Sequence, residues 1–301
     1  MDLGQYEQTV YHTYGLKIIE PLELGYNSDA LYRVSNGRGI MFVLKIATTM
    51  NSIREIRMNL QGYENLERIG LKRFIPAIVA SEINDDFAMI LMEDCGPNYL
   101  SQARESTDPI SLYQRTAAEL KEMYTISRRE GHEGQQMLEG IIALIIEQYD
   151  HYIQKTFDPC MAVVSQLQLL PQVILAERVS SYCFSNWDFT PEDIYMTPQG
   201  LKYSDPHAEV LGVPIVDLAC LAGLVRLYDL PEAEAGARLF EEMAYEYIPT
   251  LLSLTSATTK RVFNLGRLLQ CFLSARFRLA THPAQAREIF RVGVAHLERL
   301  L

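Results

Sequence analysis

The alternation of apolar and polar positions over the first 90 or so residues predicts β-strands and one helix. The segment "ALYRV" alternates, "NGRG" is typical of a turn and "IMFVLKIA" is strongly apolar, so together they predict a hairpin. The next segment, "NSIREIRMNLQGYENLERIG", keeps helical spacing, with Ser52 as its N-cap, Glu55 as the partner in a capping box and Gly70 at its end. "FAMILMED" is predicted to form another buried strand.

After the segment "CGP", Cys95 to Pro97, the spacing of apolar residues becomes helical. Long helices are predicted for "ISLYQRTAAELKEMYTISRREG", "QQMLEGIIALIIEQYDHYIQKTF", "PEAEAGARLFEEMAYEYIPTLLSL", "TTKRVFNLGRLLQCFLSARFRLA" and "PAQAREIFRVGVAHLERLL". The pattern therefore predicts an α+β protein. A small β-rich N-terminal lobe, residues 1–94, is followed by a hinge near Glu93 to Pro97 and a larger, mostly helical lobe, residues 95–301.

Composition and charge exclude several classes of function. Hydrophobic residues make up 48% of the 301 residues and charged residues 22%, which is typical of a globular protein. A net charge of −11 makes nucleic acid a poor partner, because its phosphates would be repelled. The five scattered cysteines, the lack of a signal-peptide pattern and the short apolar runs predict a cytoplasmic protein with no membrane partner.

Two features of the N-terminal lobe are typical of ligand binding. In "ELGYNSDALYRV", Gly25 followed by Asn27 and Ser28 would let the backbone approach a ligand closely, although such residues are also typical of an ordinary turn. Lys45 lies within the apolar segment "FVLKIA", where a buried ammonium needs a partner. We expect Glu55 on the following helix to be that partner, with Glu64 as the second choice, unless Lys45 faces solvent.

Four carboxylates in the helical lobe are candidates for chemistry. "SNWDFTPEDIYM", residues 185–196, places Asp188 and Asp193 on either side of Pro191, which disfavours a continuous helix. Asp188 is a candidate to orient or deprotonate a hydroxyl and Asp193 to hold a divalent cation, unless both only cap a turn. Asp205 ends a short strand-like run and is a candidate second metal ligand, whereas Asp217 is either functional or only the cap of an apolar helix.

The order of these features along the chain matches the requirements of phosphoryl transfer to a hydroxyl. Such a reaction uses a glycine loop over phosphates, a lysine tied to a helix glutamate, one aspartate for the hydroxyl and two oxygen ligands for magnesium. Each feature alone is a weak indication, but their shared order favours a kinase.

The chain resembles the aminoglycoside phosphotransferase and choline kinase families, the small-molecule branch of the protein-kinase-like fold. The resemblance rests on "FVLK", on "ILMEDCG" as the hinge, on "NWDFTPED" for the loop H-G-D-x-x-x-x-N, on "YSDP" and on "GVPIVDLA" for G-x-P-x-x-D-L-A. It implies a bilobal kinase-like fold, ATP (or GTP) and Mg²⁺ as cofactors, and a small-molecule hydroxyl as the acceptor.

The resemblance also implies a role for each matching residue. Asp188 is the implied catalytic residue, and Asp193 and Asp205 are the implied magnesium ligands. Lys45, paired with Glu55, is expected to contact the α and β phosphates. The other residues expected at the nucleotide are Gly25, Asn27, Ser28, Glu93 and Cys95, with backbone groups around the last two meeting adenine.

Three departures from the family pattern leave alternatives open. Asn186 replaces the histidine of the loop, Trp187 replaces its glycine and Asp193 replaces the metal-binding asparagine. A histidine is also missing near "EMYTISRREG". The alternatives are a kinase-like protein that binds nucleotide or another ligand without transferring phosphate, and an enzyme that transfers a nucleotidyl group.

The acceptor is the least constrained part of the prediction. A row of acidic residues in "LPEAEAGARLFEEMAYEY" is suited to a cationic acceptor, with Tyr245 and Tyr247 adding cation–π contacts, or is simply a solvated helix face. The row consists of Glu232, Glu234, Glu241, Glu242 and Glu246. Trp187, the only tryptophan, either walls the acceptor pocket or packs in the core.

Overall fold

The computed structural model describes residues 14–22, 29–150, 161–176, 179–187, 189–208 and 210–301. The chain divides into two compact units, which we describe separately. The first consists of Met1–Pro97 with Tyr195–Glu209, and the second of Asn98–Ile194 with Val210–Leu301. The first unit thus ends close to the expected boundary at residue 94, but it also includes Asp205, which the sequence assigned to the helical lobe.

Ten strands and ten α-helices are found in the described ranges. The strands are β1 (Leu16–Pro21), β2 (Ala30–Asn36), β3 (Met41–Ala47), β4 (Ile78–Ile83), β5 (Ala88–Glu93), β6 (Arg129–Glu130), β7 (Ser181–Phe184), β8 (Ile194–Thr197), β9 (Gly200–Tyr203) and β10 (Leu211–Gly212). The helices are α1 (Met50–Arg68), α2 (Tyr99–Glu105), α3 (Pro109–Ser127), α4 (Glu133–Gln148), α5 (Met161–Leu175), α6 (Ile215–Leu227), α7 (Ala233–Glu242), α8 (Ile248–Leu252), α9 (Ser256–Arg278) and α10 (Pro283–Leu300).

The first unit is built on a five-stranded antiparallel sheet in the order β1-β2-β3-β5-β4. The predicted hairpin is confirmed as β2 and β3. The side chain of Asn36 stabilises its turn, because its Oδ1 accepts hydrogen bonds from the backbone N–H groups of Arg38 and Ile40. The predicted strand "FAMILMED" is confirmed as β5.

The two faces of this sheet bury different sets of side chains, as the alternation along β3 requires. Leu44 and Ile46 belong to one cluster, together with residues of β1, β2 and β5. Ala47 belongs to the other cluster, which includes Ile53 and Ile56 of α1. Lys45 alternates with Leu44 and Ile46, so it projects from the face that α1 covers rather than into open solvent.

Helix α1 begins three residues earlier than the sequence predicted. Thr49, not Ser52, is the N-cap, and the two side chains form a reciprocal capping box in which Glu55 takes no part. The predicted box was therefore wrong, because "TTMNS" offers a hydroxyl pair with the same spacing one turn earlier. Gly70 follows the helix with φ of +93°, a backbone conformation that favours glycine.

The second unit is mainly helical, and four of the five predicted long helices are confirmed by α3, α4, α9 and α10. The remaining segment is divided into α7, a π-helical turn over Met243–Tyr247, and α8. The end of "QQMLEGIIALIIEQYDHYIQKTF" lies outside the described residues. Helix α5 was not predicted, because its sequence is apolar on nearly every side and contains Pro171.

Helix α6 forms the centre of the second unit. Every residue from Ile215 to Val225 is buried, including the carboxylate-bearing Asp217. Helices α7 and α9 pack against it. None of the described helices combines the length and the apolar character that crossing a membrane requires.

Candidate functional site

Lys45 is buried on the α1-facing side of β3, with only 5% of its surface exposed. Its ammonium donates hydrogen bonds to Asn59 Oδ1 of α1 at 2.9 Å and to Asp205 Oδ1 at 2.7 Å. The predicted partner Glu55 is half-buried one turn before Asn59 on the same helix, and its own role stays a prediction. The structure thus brings two of the predicted site residues, Lys45 and Asp205, into direct contact.

Asp205 follows β9 and lies in a left-handed backbone conformation, with φ of +57°. Its side chain is 47% exposed, so one oxygen contacts the buried lysine while the carboxylate remains accessible to solvent. Its backbone N–H donates to the hydroxyl of Tyr63 at 3.2 Å. Burial and the charge of Asp205 raise the pKa of Tyr63 well above its usual value, so the hydroxyl stays protonated.

The segment after Asp205 is held against α1 by polar side chains. Asn59 donates to the carbonyl of Pro206 at 3.2 Å, and Asn65 donates to the carbonyl of Ala208 at 2.7 Å. Gly62 permits the close approach, because a Cβ there would lie 2.4 Å from the carbonyl oxygen of His207. Asn59 therefore contacts both Lys45 and the segment that carries Asp205, a role that sequence spacing did not indicate.

The predicted hinge follows β5 as a turn with several internal contacts. The carboxylate of Glu93 accepts a hydrogen bond from the backbone N–H of Ala77 at 3.1 Å and lies 3.6 Å from Lys202 Nζ. Burial, and secondarily the charge of Glu93, raises the pKa of Cys95 to about 12, so its thiol is neutral at physiological pH. A role of this backbone in binding adenine stays a prediction.

Some of the predicted site residues lie outside the described ranges. They are Gly25, Asn27, Ser28 and the proposed catalytic residue Asp188. The residues on both sides of Asp188 lie within the described ranges.

Two buried side chains of α6 contact the backbone just before Asp188. The carboxylate of Asp217 accepts the backbone N–H of Asn186, with both oxygens at 3.2 Å, and Asp217 is fully buried. The thiol of Cys220 lies 3.6 Å from the carbonyl oxygen of Trp187. Asp217 is therefore more than a local helix cap, which the "GVPIVDLA" match alone left open.

The residues after Asp188 are also anchored within the second unit. Phe189 is fully buried and packs edge-on against Phe184, with ring centroids 6.1 Å apart. The carbonyl of Pro191 accepts the backbone N–H of Leu100 at 3.3 Å. The hydroxyl of Thr190 donates to Asp193 Oδ2 at 2.6 Å, so Asp193 takes part in the turn as well as being a candidate ligand.

Trp187 adopts a left-handed backbone conformation, with φ of +41°. An L-residue with a bulky side chain rarely adopts this conformation, whereas glycine does so readily. The position at which this chain departs from the H-G-D pattern is thus one where the backbone itself favours glycine. The side chain of Trp187 is half-buried, so neither of the two predicted roles is excluded.

The carboxylates of Asp193 and Asp205 are suitable ligands for Mg²⁺, but two carboxylates alone do not complete its octahedral coordination. Asp205 in the first unit and Asp193 in the second each carry the carboxylate oxygens that Mg²⁺ prefers, and their role as magnesium ligands stays a prediction. Among the described residues, however, no group of three or more His, Cys, Asp or Glu side chains is arranged to hold a metal ion. In proteins, Mg²⁺ is usually held by one or two carboxylates together with substrate phosphate oxygens and water.

The acidic row predicted to meet a cationic acceptor is partly neutralised by the protein itself. Arg226 forms ion pairs with Glu241 at 2.5 Å and with Glu234 at 3.0 Å. The hydroxyl of Tyr247 donates to the carbonyl of Lys121 at 2.9 Å, and the Lys121 ammonium lies 5.5 Å from the centre of the Tyr247 ring. Two of the five glutamates and one of the two tyrosines are therefore already engaged.

Comparison with known proteins gives a consistent fold. No protein-family model matches the sequence, and no match to a curated protein was found. Among solved structures, a choline kinase from Cryptosporidium parvum is similar, with 13% identity, a TM-score of 0.60, and 99% of this chain and 95% of that chain covered.

Two further solved structures show the same similarity. An amicoumacin kinase solved with AMP-PNP, Ca²⁺ and Ami has 15% identity and a TM-score of 0.61, with 97% of this chain and 93% of that chain covered. An aminoglycoside-3′-phosphotransferase of type VIII has 12% identity and a TM-score of 0.58, with 88% and 97% covered. The chain has the α+β fold of the aminoglycoside phosphotransferases and choline kinases, which confirms the predicted fold class.

Proposed function

We propose that this protein is an ATP- and magnesium-dependent phosphotransferase that acts on a hydroxyl group of a small molecule. The observation that carries the proposal is the contact between the buried ammonium of Lys45 and the accessible carboxylate of Asp205, on a fold shared with small-molecule kinases. A lysine ammonium can bind the phosphates of a nucleotide, and a carboxylate can bind the magnesium ion that accompanies the nucleotide. GTP in place of ATP is an alternative within the same proposal.

Each residue has a distinct role in the proposed reaction. Lys45, kept in place by Asn59, donates to phosphate oxygens of the nucleotide. Asp205 and Asp193 would hold the magnesium ion, and the ion would supply positive charge to offset negative charge on the transferring group. Asp188 orients the acceptor hydroxyl and takes its proton.

The contacts around the loop support a working site despite its departures from the family pattern. Asp217 and Cys220 contact backbone atoms of Asn186 and Trp187. These backbone contacts can therefore form with Asn186 in place of the family's histidine and with Trp187 in place of its glycine. This supports a functional loop despite the altered side chains.

The direct test is nucleotide turnover with a panel of small-molecule alcohols. Asp188→Asn and Asp205→Asn should each reduce turnover by about 100-fold or more, because each removes a charge on which the transition state depends. Asp86→Asn, in the exposed turn between β4 and β5, is the matched control and should leave turnover unchanged. Phosphoryl transfer that survives both site substitutions would contradict the proposal, and mass analysis of the product would separate phosphoryl from nucleotidyl transfer.

The second candidate is a protein that binds nucleotide without transferring phosphate. Asn186 favours it, because this buried amide cannot carry the positive charge of the family's histidine. Asp193 favours it too, because the added carboxylate repels nucleotide phosphates. A thermal shift with ATP and magnesium, without turnover of any acceptor, would support this candidate over the kinase.

The acceptor is proposed only as a small molecule that carries a hydroxyl group. The ion pairs of Arg226 with Glu234 and Glu241 weaken the case for a cationic acceptor bound by the acidic row. A cytoplasmic setting, predicted from the scattered cysteines, remains part of the proposal.

A further inference from the structure

A cavity of about 480 Å³ lies within the second unit, among residues that play no part in the proposed phosphoryl transfer. Four cationic side chains line it, contributed by α6, α9 and α10: Arg226, Lys260, Arg267 and Arg299. Glu241 is the one carboxylate in the lining. This concentration of positive charge is unexpected in a chain with a net charge of −11.

The carboxylate of Glu241 already forms an ion pair with one of the four cationic side chains. Glu241 pairs with Arg226, which also pairs with Glu234. The other three cations, Lys260, Arg267 and Arg299, form no ion pair with any carboxylate in the described ranges. The cavity therefore presents uncompensated positive charge.

Arg267 is held in place by two hydrogen bonds. It is half-buried, and its Nη1 donates to Gln270 Oε1 at 2.9 Å and to the carbonyl of Ala219 at 3.4 Å. A guanidinium fixed in this way loses less conformational entropy when it binds an anion. Lys260 and Arg299 are exposed and free to adjust around such a ligand.

The cavity also contains aromatic and neutral polar groups. Tyr245 and Phe263 line it with ring centroids 4.8 Å apart. His296 is largely buried, and its Nδ1 lies 2.8 Å from Asn264 Oδ1. Burial, followed by the charges of Arg267 and Arg299, lowers the pKa of His296 to about 4, so its imidazole is neutral at physiological pH.

We propose that this cavity binds a phosphate-bearing small molecule. Its anionic group lies against Lys260, Arg267 and Arg299, and its apolar part packs on Tyr245 and Phe263. Guanidinium groups match the geometry of phosphate oxygens, and the volume falls within the range of known small-molecule sites, about 300 to 1,000 Å³. The proposal does not depend on the kinase function, since it uses none of the residues proposed to bind nucleotide, to hold magnesium or to orient the acceptor hydroxyl.

The test follows the His296 imidazole by NMR while pyrophosphate, the probe for the anionic group, is added. In the wild type, saturable binding should shift the imidazole resonance and raise the pKa of His296, because the anion offsets the charges of Arg267 and Arg299. His296→Gln assigns the resonance. Because the readout is local, binding of pyrophosphate elsewhere in the protein does not produce the same signal, and Lys45→Ala should leave it unchanged.

The matched variants remove the same number of charges at two places. Lys260→Ala with Arg299→Ala should weaken the binding by about tenfold or more. Arg287→Ala with Arg291→Ala, two exposed positions of α10 outside the cavity, should change it by less than about twofold.

Several outcomes would overturn the proposal. One is an unchanged His296 resonance at pyrophosphate concentrations on the order of 10 mM. Another is equal weakening in the two double variants, which would indicate general charge attraction. Citrate that binds as tightly as pyrophosphate would contradict the assignment to a phosphate-bearing ligand.

Discussion

The two units of this protein hold their candidate functional residues in different ways. In the first unit, side chains contact side chains: Lys45 bonds to Asn59 and to Asp205. In the second, buried side chains contact the backbone: Asp217 accepts from the N–H of Asn186, and Cys220 lies against the carbonyl of Trp187. A site made by side chains depends on their identities, whereas a loop held by its backbone tolerates changes of side chain. The backbone contacts of the loop are compatible with Asn186 and Trp187 at positions where the family pattern has histidine and glycine.

Trp187 differs from the rest of the loop, because its left-handed backbone conformation restricts which residue types fit at this position. A left-handed conformation costs a non-glycine residue about 1 to 2 kcal/mol, so the surrounding contacts must compensate for it. The buried Phe189 and the Cys220 contact are candidates for that compensation. A bulky residue in this strained conformation is consistent with a function for its side chain.

The largest effect is expected for Asp217→Ala. The substitution leaves the buried N–H of Asn186 without its acceptor and opens a cavity in a fully buried part of α6, so we expect a loss of about 3 kcal/mol in the free energy of unfolding. Denaturant unfolding measures it. Asp217→Asn keeps an acceptor and should lose less. A loss for Asp217→Ala no larger than that for the exposed Glu242→Ala would show that the backbone contact does not stabilise the loop.

A second substitution tests the first unit in the same way. Gly62→Ala would place a Cβ 2.4 Å from His207 O and 2.7 Å from Pro206 O, both backbone atoms, so the segment carrying Asp205 must shift. We expect a loss of about 2 kcal/mol and weaker nucleotide binding, measured by unfolding and calorimetry. Gly140→Ala, in α4 with no atom within 4 Å of the added carbon, should instead stabilise the protein by about 0.5 to 1 kcal/mol. Equal effects of the two substitutions would contradict the described packing.

A smaller effect is expected for Asn59→Ala. Lys45 then keeps only Asp205 as a partner, and the carbonyl of Pro206 loses its donor, so the free energy of unfolding should fall by about 1 to 2 kcal/mol. Nucleotide affinity should fall as well, because the ammonium is less well positioned. The neighbouring exposed position Gln61→Ala is the control. Unchanged nucleotide affinity in Asn59→Ala would mean that its contact is structural only.

The smallest effect on stability is expected for Trp187→Gly. Relief of the left-handed strain should offset the lost packing of a half-buried side chain, which leaves the free energy of unfolding within about 1 kcal/mol of the wild type. Acceptor preference, measured as ratios of kcat/KM, should change more than the affinity for ATP. Ser253→Gly, at another left-handed position far along the chain, controls for relief of strain alone. Equal changes in acceptor preference and ATP affinity would contradict a role of Trp187 at the acceptor.

Much of the secondary structure could be predicted from local sequence patterns, because helices, strands and turns depend mainly on residues that are close together in the sequence. The hairpin of β2 and β3, strand β5 and four long helices follow from alternation, turn residues and helical spacing. The start of α1 was misplaced because two pairs with the spacing of a capping box, Thr49 with Ser52 and Ser52 with Glu55, compete for it. Helix α5 was missed because a nearly uniform apolar stretch has no periodicity to read.

Contacts between distant positions could be predicted only in part. The kinase-like order of motifs indicated Lys45 and Asp205, but the spacing favoured Glu55 rather than Asn59 as the helix contact of Lys45. Asn59 lies on the buried face of α1, a feature that is settled by the packing of the helix on its sheet. Asp217 contacts the backbone N–H of Asn186, a group that every residue except proline carries. The residue type at position 186 therefore could not indicate this contact. The basic cavity likewise arises only when α6, α9 and α10 come together.

The most direct test of the account is calorimetric measurement of ATP affinity with and without magnesium, in the wild type and in Asp205→Asn. If Lys45 grips the phosphates while Asp205 holds the accompanying cation, magnesium should strengthen ATP binding in the wild type, and Asp205→Asn should lose most of that gain. A gain from magnesium that is undiminished in Asp205→Asn would contradict the account.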